Sequence, residues 1–273
     1  MIKKEQDYTK AYEHGDYPGS AASGERGTAL LSPRRPRILM YHAVTSVERD
    51  PNRICISPQR FNAQMLYLKR HNLRGVSIRE MRRAAAAGDI RNLVGLTFDD
   101  GYENFLHTAV PILEKFGFSA TVFVVAGRLA RDNDWEHSFE PRPPMKLLGA
   151  EGVREVSRRG MEVGSHSMVH PKLSEVPPGR LQEEISGSRR VLSELLDEAV
   201  GGFCYPYGNV NGAVIEAVRR AGYAYACAWK VRPEGSDYEL PRIPVDEVDN
   251  LLRFKAKLRI YPQYVRVTRL LKR

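Results

Sequence analysis

Residues 94–102 read Val-Gly-Leu-Thr-Phe-Asp-Asp-Gly-Tyr, an apolar run that ends in two adjacent carboxylates. The run predicts a buried β-strand, with Asp99 and Asp100 in the loop that follows its carboxyl end. Farther along the chain, residues 165–171 read Ser-His-Ser-Met-Val-His-Pro and carry a pair of histidines. Carboxylates and imidazoles are the groups with which a protein holds a divalent metal ion and activates a water beside it. We therefore predict that these four side chains share one pocket.

Strand-like and helix-like segments alternate on both sides of this stretch. Apolar runs predict strands at residues 37–41, 94–98, 120–125, 161–165, 200–204, 224–229 and 240–245. Helical periodicity predicts helices at residues 58–72, 78–87, 108–116, 152–159, 178–196 and 211–221, with Ser57 as the cap of the first. This order is typical of an α/β fold with a mostly parallel sheet and crossover helices. The polar residues of interest follow strands, which favours a common site at one end of a barrel, and they are His42, Asp99, Asp100, His166 and Tyr207.

The length of 273 residues is typical of a single α/β barrel domain. Residues 1–36 are polar and rich in Gly, Ser and charge, which predicts a flexible N-terminal arm. We predict that residues 37–250 form the barrel and that residues 251–273 form a basic helical tail.

The chain carries a formal net charge of +9, which favours acidic partners. Zinc-finger spacing and an RNP-like strand are not found in the sequence, so nucleic acid is disfavoured as a partner. Two interpretations of the basic tail stay open. It forms a pair of basic amphipathic helices on anionic lipid, or it forms a solvated helix that docks on the domain.

The three cysteines, Cys55, Cys204 and Cys227, are odd in number and include no C-x-x-C pair. They predict neither a disulfide framework nor a cysteine zinc site, and they weakly favour a reducing compartment. We find no apolar signal-peptide segment near residue 1 and no run long enough to cross a bilayer. The expectation from this start site is a cytoplasmic protein, peripheral to the inner face of a membrane if the tail binds lipid.

The two motifs have alternatives when each is taken alone. An Asp-Asp-Gly segment is also a turn signal in which aspartates cap the backbone, and histidines also serve structural roles. On a helical turn, however, His166 and His170 are four residues apart and lie on one side. One carboxylate and two imidazoles leave open positions on a metal ion, as in a catalytic zinc site, although another first-row ion fits the same ligands.

Three motifs together resemble those of the polysaccharide deacetylases, the NodB-homology domain of carbohydrate esterase family four. They are residues 97–102 (Thr-Phe-Asp-Asp-Gly-Tyr), residues 165–171 and residues 203–208 (Phe-Cys-Tyr-Pro-Tyr-Gly). The resemblance extends from about residue 37 to about residue 245. It implies a distorted (β/α) barrel with fewer than eight regular strands. It also implies the metal-dependent removal of N-acetyl groups from amino sugars.

Matched by position, the resemblance implies a role for each motif residue. Asp99 corresponds to the general base, and Asp100, His166 and His170 correspond to the metal ligands. The backbone N–H near Tyr207 corresponds to the group that binds the developing oxyanion.

Two departures from the family pattern lead to further assignments. Cys204 stands where the family has an Arg that holds the base, and we expect Arg242 to substitute from a neighbouring strand. The usual late histidine is missing after His170, but residues 38–42 resemble a strand that the circularly permuted biofilm-polysaccharide branch has at its front. We therefore assign His42 as the general acid, because the departing amine needs a proton donor.

The substrate implied by the resemblance is an amino-sugar glycan or its lipid-linked or nucleotide-linked precursor. Two alternatives stay open, a deformylase or amidohydrolase of a lipid-carried sugar and an inactive glycan-binding member of the fold. Among aromatic residues, Trp135 is the expected sugar platform, whereas Tyr207 and Trp229 at strand ends are more often core.

Overall fold

The computed structural model describes residues 36–135, 144–229 and 236–270, with the backbone alone described in residues 261–270. The predicted flexible arm, residues 1–36, lies outside the described residues except for Pro36. It stays a prediction.

Parallel strands form the centre of the protein. The main sheet contains β1 (Arg37–Tyr41), β4 (Arg74–Val76), β5 (Leu93–Phe98), β6 (Thr121–Val124), β7 (Glu162–Ser165), β8 (Gly202–Cys204), β9 (Tyr225–Ala228), β10 (Leu240–Pro241) and β11 (Ile243–Pro244). A small second sheet contains β2 (Ala43–Val44) and β3 (Cys55–Ile56). Parallel strands need crossover connections, and these supply the helices that cover the sheet.

The strand order brings the two edges of the sheet together. The order is β10-β9-β8-β7-β6-β5-β1-β11, and β4 adds to β5 off this path. β10 pairs with β9 and β11 pairs with β1, although a single residue, Arg242, separates them in the chain. The predicted single strand at 240–245 is therefore wrong in detail, because this segment leaves one edge of the sheet at Arg242 and joins the other. The result is a nearly closed, distorted barrel, which confirms the predicted fold class.

The helices pack around the barrel in the predicted sequence order. They are α1 (Pro58–Arg70), α2 (Ile78–Ala86), α3 (Val110–Phe116), α4 (Ala150–Arg158), α5 (Pro178–Gln182), α6 (Ser188–Leu196), α7 (Gly212–Arg220) and α8 (Leu251–Leu270). Two π-helical segments interrupt the pattern: Phe105–Ala109 leads into α3, and Glu183–Gly187 joins α5 to α6. The predicted helix at 178–196 is thus continuous but contains a π-helical turn, a feature often found at functional sites.

Ser57 occupies the N-cap position of α1, but its side chain makes no capping bond. Its hydroxyl instead donates to Glu247 at 3.2 Å, and its backbone N–H donates to the same carboxylate at 2.7 Å. Glu247 therefore ties the start of α1 to the segment after β11. α2, by contrast, is capped by Ser77, whose hydroxyl accepts from the Glu80 N–H at 3.1 Å.

A buried polar cluster fills the end of the barrel at which the strands begin. The Glu162 carboxylate accepts hydrogen bonds from Thr121 Oγ1 at 2.6 Å, Tyr225 Oη at 2.9 Å and the Arg79 backbone N–H at 2.8 Å. Burial raises the pKa of Glu162 despite these donors. With this end filled, the opening of the barrel lies at the carboxyl ends of the strands.

Residues 251–270 of the tail form one helix, α8, which differs from the pair of helices in the lipid-bound interpretation. Phe254 and Leu258 are buried against the domain, so the docked-helix interpretation describes this part of the tail. Among the described residues, no helix has the length and apolar character needed to cross a bilayer.

The close approach of β7 to β8 gives a test of packing. A Cβ at Gly164 would lie 2.5 Å from Phe123 Cδ1 and 3.1 Å from the Gly202 carbonyl oxygen. We expect Gly164→Ala to lower the free energy of unfolding by about 1–3 kcal/mol, because the ring and the neighbouring strand must shift. The measurement is urea denaturation.

The matched control is Gly179→Ala in α5, where a Cβ would meet nothing within 4 Å. This change should raise the free energy of unfolding slightly, by about 0.5–1 kcal/mol, because alanine loses less backbone entropy on folding. Equal effects of the two substitutions would contradict the packing argument.

Candidate metal centre and active site

A cavity of about 680 Å³ opens at the carboxyl ends of the strands. It is lined by the predicted base, acid, metal ligands, oxyanion-loop residue and base-holding arginine: Asp99, His42, Asp100, His166, His170, Tyr207 and Arg242. On one side it extends over a loop residue, Arg53, to Asp246 and Lys257. Sequence reasoning did not identify this side of the cavity, since its residues belong to no motif.

The two neighbouring aspartates lie at the start of a tight turn. Asp100 and Gly101 both have left-handed backbones, with φ of 73° and 74°. The Asp99 N–H donates to the Tyr41 carbonyl at 3.0 Å, which ties the turn to the end of β1. Because the chain reverses here, Asp99 faces Arg242, whereas Asp100 faces the histidines.

The histidine loop is not helical. Ser167 and His170 have positive φ values of 67° and 63°, which a right-handed helical turn excludes. The predicted helical turn is therefore wrong. The loop nevertheless brings His166 Nε2 and His170 Nε2 each to 3.4 Å from Asp100 Oδ1.

A buried glutamate holds this loop in shape. Glu184 Oε2 accepts hydrogen bonds from the backbone N–H groups of Met168 and Val169, each at 3.0 Å. Ser167 Oγ accepts from the His170 N–H at 3.0 Å within the loop itself. Sequence reasoning missed Glu184. The available signal was a glutamate directly beside Ile185 on the apolar face of a helix.

The geometry of three donor atoms fits a metal ion. Asp100 Oδ1, His166 Nε2 and His170 Nε2 lie within 4.8 Å of one another. Ligands about 2.0–2.2 Å from a tetrahedral ion are roughly 3.3–3.5 Å apart, which matches the two 3.4 Å separations. His166 Nδ1 is 2.8 Å from the Cys204 carbonyl oxygen, to which it donates, so that Nε2 is left for the ion.

The charges in this group also favour a cation. Burial raises the pKa of Asp100, but its bonds to His166 and His170 outweigh burial and hold it well below the usual range. Burial lowers the pKa of His166, yet the neighbouring carboxylates of Asp100 and Asp99 help to raise it well above the usual range. A positive charge between the buried carboxylates and the imidazoles would therefore be stabilised, and a divalent ion can supply it.

Arg242 grips Asp99 with both arms of its guanidinium. Nη1 lies 2.6 Å from Oδ1 and Nη2 lies 2.7 Å from Oδ2, and both residues are buried. Burial raises the pKa of Asp99, but the charge and hydrogen bonds of Arg242 outweigh it and lower the pKa below its ordinary value. Asp99 is thus ionised and fixed in orientation.

The thiol of Cys204 fills the space next to this ion pair. Its Sγ accepts from Arg242 Nη2 at 3.1 Å and lies 3.6 Å from Asp99 Oδ2, to which it donates. Burial raises the pKa of the thiol to about 11, so it adds no negative charge to the site. The departure from the family pattern at Cys204 is therefore compatible with an arginine bound to Asp99, supplied by Arg242 from the segment between β10 and β11.

His42 lies at the end of β1, next to the same carboxylate. Its Nε2 is 4.0 Å from Asp99 Oδ2, and its side chain is partly exposed to the cavity. Within the described part of the chain β1 is the first strand, yet it pairs with the last one there, β11. This arrangement brings a histidine from the front of the chain to the site.

The aromatic residues differ from expectation. Trp135, the expected sugar platform, is only 8% exposed, and its ring packs at a tilt of 33° against His170 with the ring centres 4.8 Å apart. Trp229 is 51% exposed and Tyr207 is 45% exposed, and both line the cavity. Among the described residues, Tyr207 and Trp229 are thus the exposed aromatic residues that line the cavity, and the Tyr207 hydroxyl donates to the Trp135 carbonyl oxygen at 3.3 Å.

Comparisons with known proteins agree with this arrangement. The family model described as polysaccharide deacetylase matches residues 87–226. A putative polysaccharide deacetylase of Bacillus subtilis, YxkH, is 24% identical over 193 residues, which is 70% of this chain and 63% of that protein. A poly-beta-1,6-N-acetyl-D-glucosamine N-deacetylase of Staphylococcus aureus is 23% identical over 207 residues, or 74% of this chain and 71% of that protein.

Solved structures share the fold. The Streptococcus pyogenes deacetylase PplD in complex with acetate superposes with a TM-score of 0.70 at 23% identity, over 82% of this chain and 98% of that one. IcaB from Ammonifex degensii gives a TM-score of 0.67 at 25% identity, over 82% of this chain and 97% of that one.

The Glu184 contacts give a test of the metal centre. Glu184→Ala leaves the N–H groups of Met168 and Val169 without their acceptor, so the histidine loop should relax. We expect the affinity for Zn²⁺ to fall by about 10–100-fold. The measurement is competition with a chromophoric chelator, together with an unfolding curve.

Two further variants make this test specific. Glu184→Gln keeps a carbonyl oxygen that accepts both bonds, so it should bind the ion nearly as the parent protein does. Glu183→Ala removes a neighbouring exposed carboxylate and should have no effect. A folded Glu184→Ala protein with unchanged zinc affinity would remove Glu184 from this role.

Proposed function

Because this chain belongs to the polysaccharide deacetylase family, we propose that it is a metal-dependent hydrolase that removes N-acetyl groups from an amino-sugar glycan. The observation that carries the proposal is a triad of Asp100, His166 and His170 next to an aspartate that Arg242 holds. We assign the reaction to residues 37–250 and treat residues 251–273 as an appended tail.

Asp100, His166 and His170 are the proposed ligands of the metal ion. An ion such as Zn²⁺, once bound there, would polarise the acetamide carbonyl and make a water more acidic. The ligands come from two loops, and three protein donors leave coordination positions open for water and substrate.

Asp99 is the proposed general base. Its carboxylate is ionised and buried, and Oδ1, which accepts from Arg242, keeps a second lone pair for the attacking water. It takes a proton from that water as the new carbon–oxygen bond forms. The fixed fork of Arg242 orients the carboxylate without competing for the proton, because a guanidinium does not deprotonate.

His42 is the proposed general acid. It lies on the cavity side of Asp99, at a separation of 4.0 Å between Nε2 and Oδ2. It gives a proton to the amide nitrogen when the carbon–nitrogen bond breaks, so that acetate and a free amine leave. The backbone N–H of Tyr207 is the proposed donor to the oxyanion, and the exposed rings of Tyr207 and Trp229 are the proposed contacts of the sugar.

The similarity to the Staphylococcus aureus protein supports a polymer of N-acetylglucosamine as the substrate class, and a lipid-linked or nucleotide-linked precursor contains the same acetamide. The main experiment is release of acetate from N-acetylglucosamine oligosaccharides by the metal-loaded protein, with metal content measured in parallel. An Asp100→Asn variant should lose both the metal and the activity. A protein that binds the metal but releases no acetate from any such substrate would favour the glycan-binding alternative, and release of formate from N-formyl sugars alone would favour the deformylase.

His42 provides a test of the acid role. We expect His42→Ala to lower kcat by about 10²–10⁴-fold, since the departing amine loses its proton donor. Metal content should stay unchanged because His42 is not among the proposed ligands. His107→Ala, an exposed histidine on the π-helical segment after the Asp pair, is the matched control. Normal turnover of a metal-loaded His42→Ala protein would refute the assignment.

Arg242 provides a test of base orientation. We expect Arg242→Ala to lower kcat roughly 100-fold, because Asp99 loses the fork that orients it, while metal content is retained. This variant also leaves a buried charge unpaired at a cost of about 3–5 kcal/mol, so activity is compared well below its unfolding temperature. Arg242→Lys keeps the charge without the fork and should recover only part of the activity. Full activity in Arg242→Ala would exclude the role.

A further inference from the structure

The net charge of the protein is concentrated in its last segment. Residues 251–273 contain eight of the 42 Lys and Arg residues and none of the 33 Asp and Glu residues. They therefore contribute +8 of the formal net charge of +9. The rest of the chain is nearly neutral, so a general preference for acidic partners does not describe this protein. One short segment has that preference.

One face of α8 is occupied by the domain. Phe254 and Leu258 are buried, and the Phe254 ring packs edge-on against Tyr67 of α1. Lys257 Nζ donates to Asp249 Oδ2 at 2.6 Å and to the Pro244 carbonyl at 2.8 Å. This face explains why α8 is attached to the barrel, but it uses only part of the helix surface.

A second apolar stripe lies on the exposed surface of α8. Leu252, Ala256 and Ile260 follow one another at intervals of four residues and are all exposed, Leu252 to 77% and Ile260 to 57%. Arg253 and Arg259 are exposed beside them. Burial in the domain does not account for this stripe, since its members lie on the side of the helix that faces away from Phe254 and Leu258.

We propose that this exposed stripe of α8 docks on an anionic lipid membrane. The apolar side chains enter the boundary between headgroups and acyl chains, and the flanking arginines contact the anionic headgroups. The proposal concerns binding alone and does not depend on the reaction. Binding would place the proposed active site close to the membrane, because Lys257 of the same helix lines the cavity.

Charge complementarity decides between the candidate occupants. A second copy of the chain would bring two segments of charge +8 together, which repel each other. Nucleic acid would satisfy the charge but would leave Leu252 and Ile260 in water. An anionic lipid surface matches the arginines and also removes the apolar stripe from water.

The test is sedimentation of the full chain with vesicles. Binding is measured with vesicles of phosphatidylcholine alone and with vesicles of phosphatidylcholine mixed with phosphatidylglycerol, at low and at high salt. We expect binding to the mixed vesicles only, weakened by salt. The double variant Leu252→Glu and Ile260→Glu should bind at least about tenfold more weakly, because two apolar side chains no longer enter the membrane.

A pair of charge-reversal variants separates local from overall charge. Arg253→Glu with Arg259→Glu should weaken binding at least about tenfold. Arg83→Glu with Arg190→Glu changes the net charge equally, at exposed positions on α2 and α6, and should not weaken it. Leu252→Trp keeps the stripe apolar, so its binding should persist and its fluorescence should shift to the blue when mixed vesicles are added.

Four results would overturn the proposal: no binding to the mixed vesicles, equal binding to both kinds of vesicle, equal weakening by the two charge-reversal pairs, or insensitivity to Leu252→Glu with Ile260→Glu. A dimer that this last pair converts to a monomer, in a protein that ignores vesicles, would identify a second copy as the occupant. Unfolding midpoints near that of the parent protein show that each variant is folded, as the exposure of all the substituted side chains leads us to expect.

Discussion

The ion pair between Arg242 and Asp99 is the interaction on which the rest of the site depends. Arg242 is the one residue between β10 and β11, the two strands that complete opposite edges of the sheet. Its guanidinium lies inside the barrel and binds both oxygens of Asp99 at the end of β5. A buried charge pair of this kind is strongly destabilising when one partner is absent. Arg242 therefore lies where the two edges of the sheet meet and also orients the proposed base, Asp99.

A second buried carboxylate, Glu184, performs the corresponding task for the proposed metal ligands. The histidine loop contains two residues with left-handed backbones, Ser167 and His170, a conformation that is unfavourable for both. Glu184 compensates by accepting two backbone hydrogen bonds from the loop, from a π-helical turn that redirects its helix locally. The π-helical turn thus carries the carboxylate that holds the loop in its conformation.

Arg242 binds Asp99 although residue 204, where the family pattern has its arginine, is a cysteine. A site is therefore defined by where side chains lie in space and not by their order in the sequence. An arginine at residue 204 would have to share the barrel interior with Arg242, and two buried guanidiniums on one carboxylate would leave a positive charge unpaired. The neutral thiol avoids this and still contacts both partners of the ion pair. In the same way His42 comes from the front of the chain, and β1 brings it beside β11. A barrel of parallel strands allows a residue to come from different strands, because the carboxyl ends of all the strands lie at the same end of the barrel.

From the sequence alone, the alternation of strands and helices and the three motifs were sufficient for the barrel class and for the residues that line the site. The reason is that these residues directly follow strands, and parallel strands bring their carboxyl ends together. Only the tertiary structure decided that residues 240–245 form two strands separated by Arg242, and that two residues of the histidine loop have left-handed backbones. It also decided that Glu184 holds this loop, and that Trp229 is exposed while Trp135 is buried. Periodicity reports which face of a segment is apolar. It carries no information on which distant group fills a given space, and Arg242 meets Asp99 across 143 residues of chain.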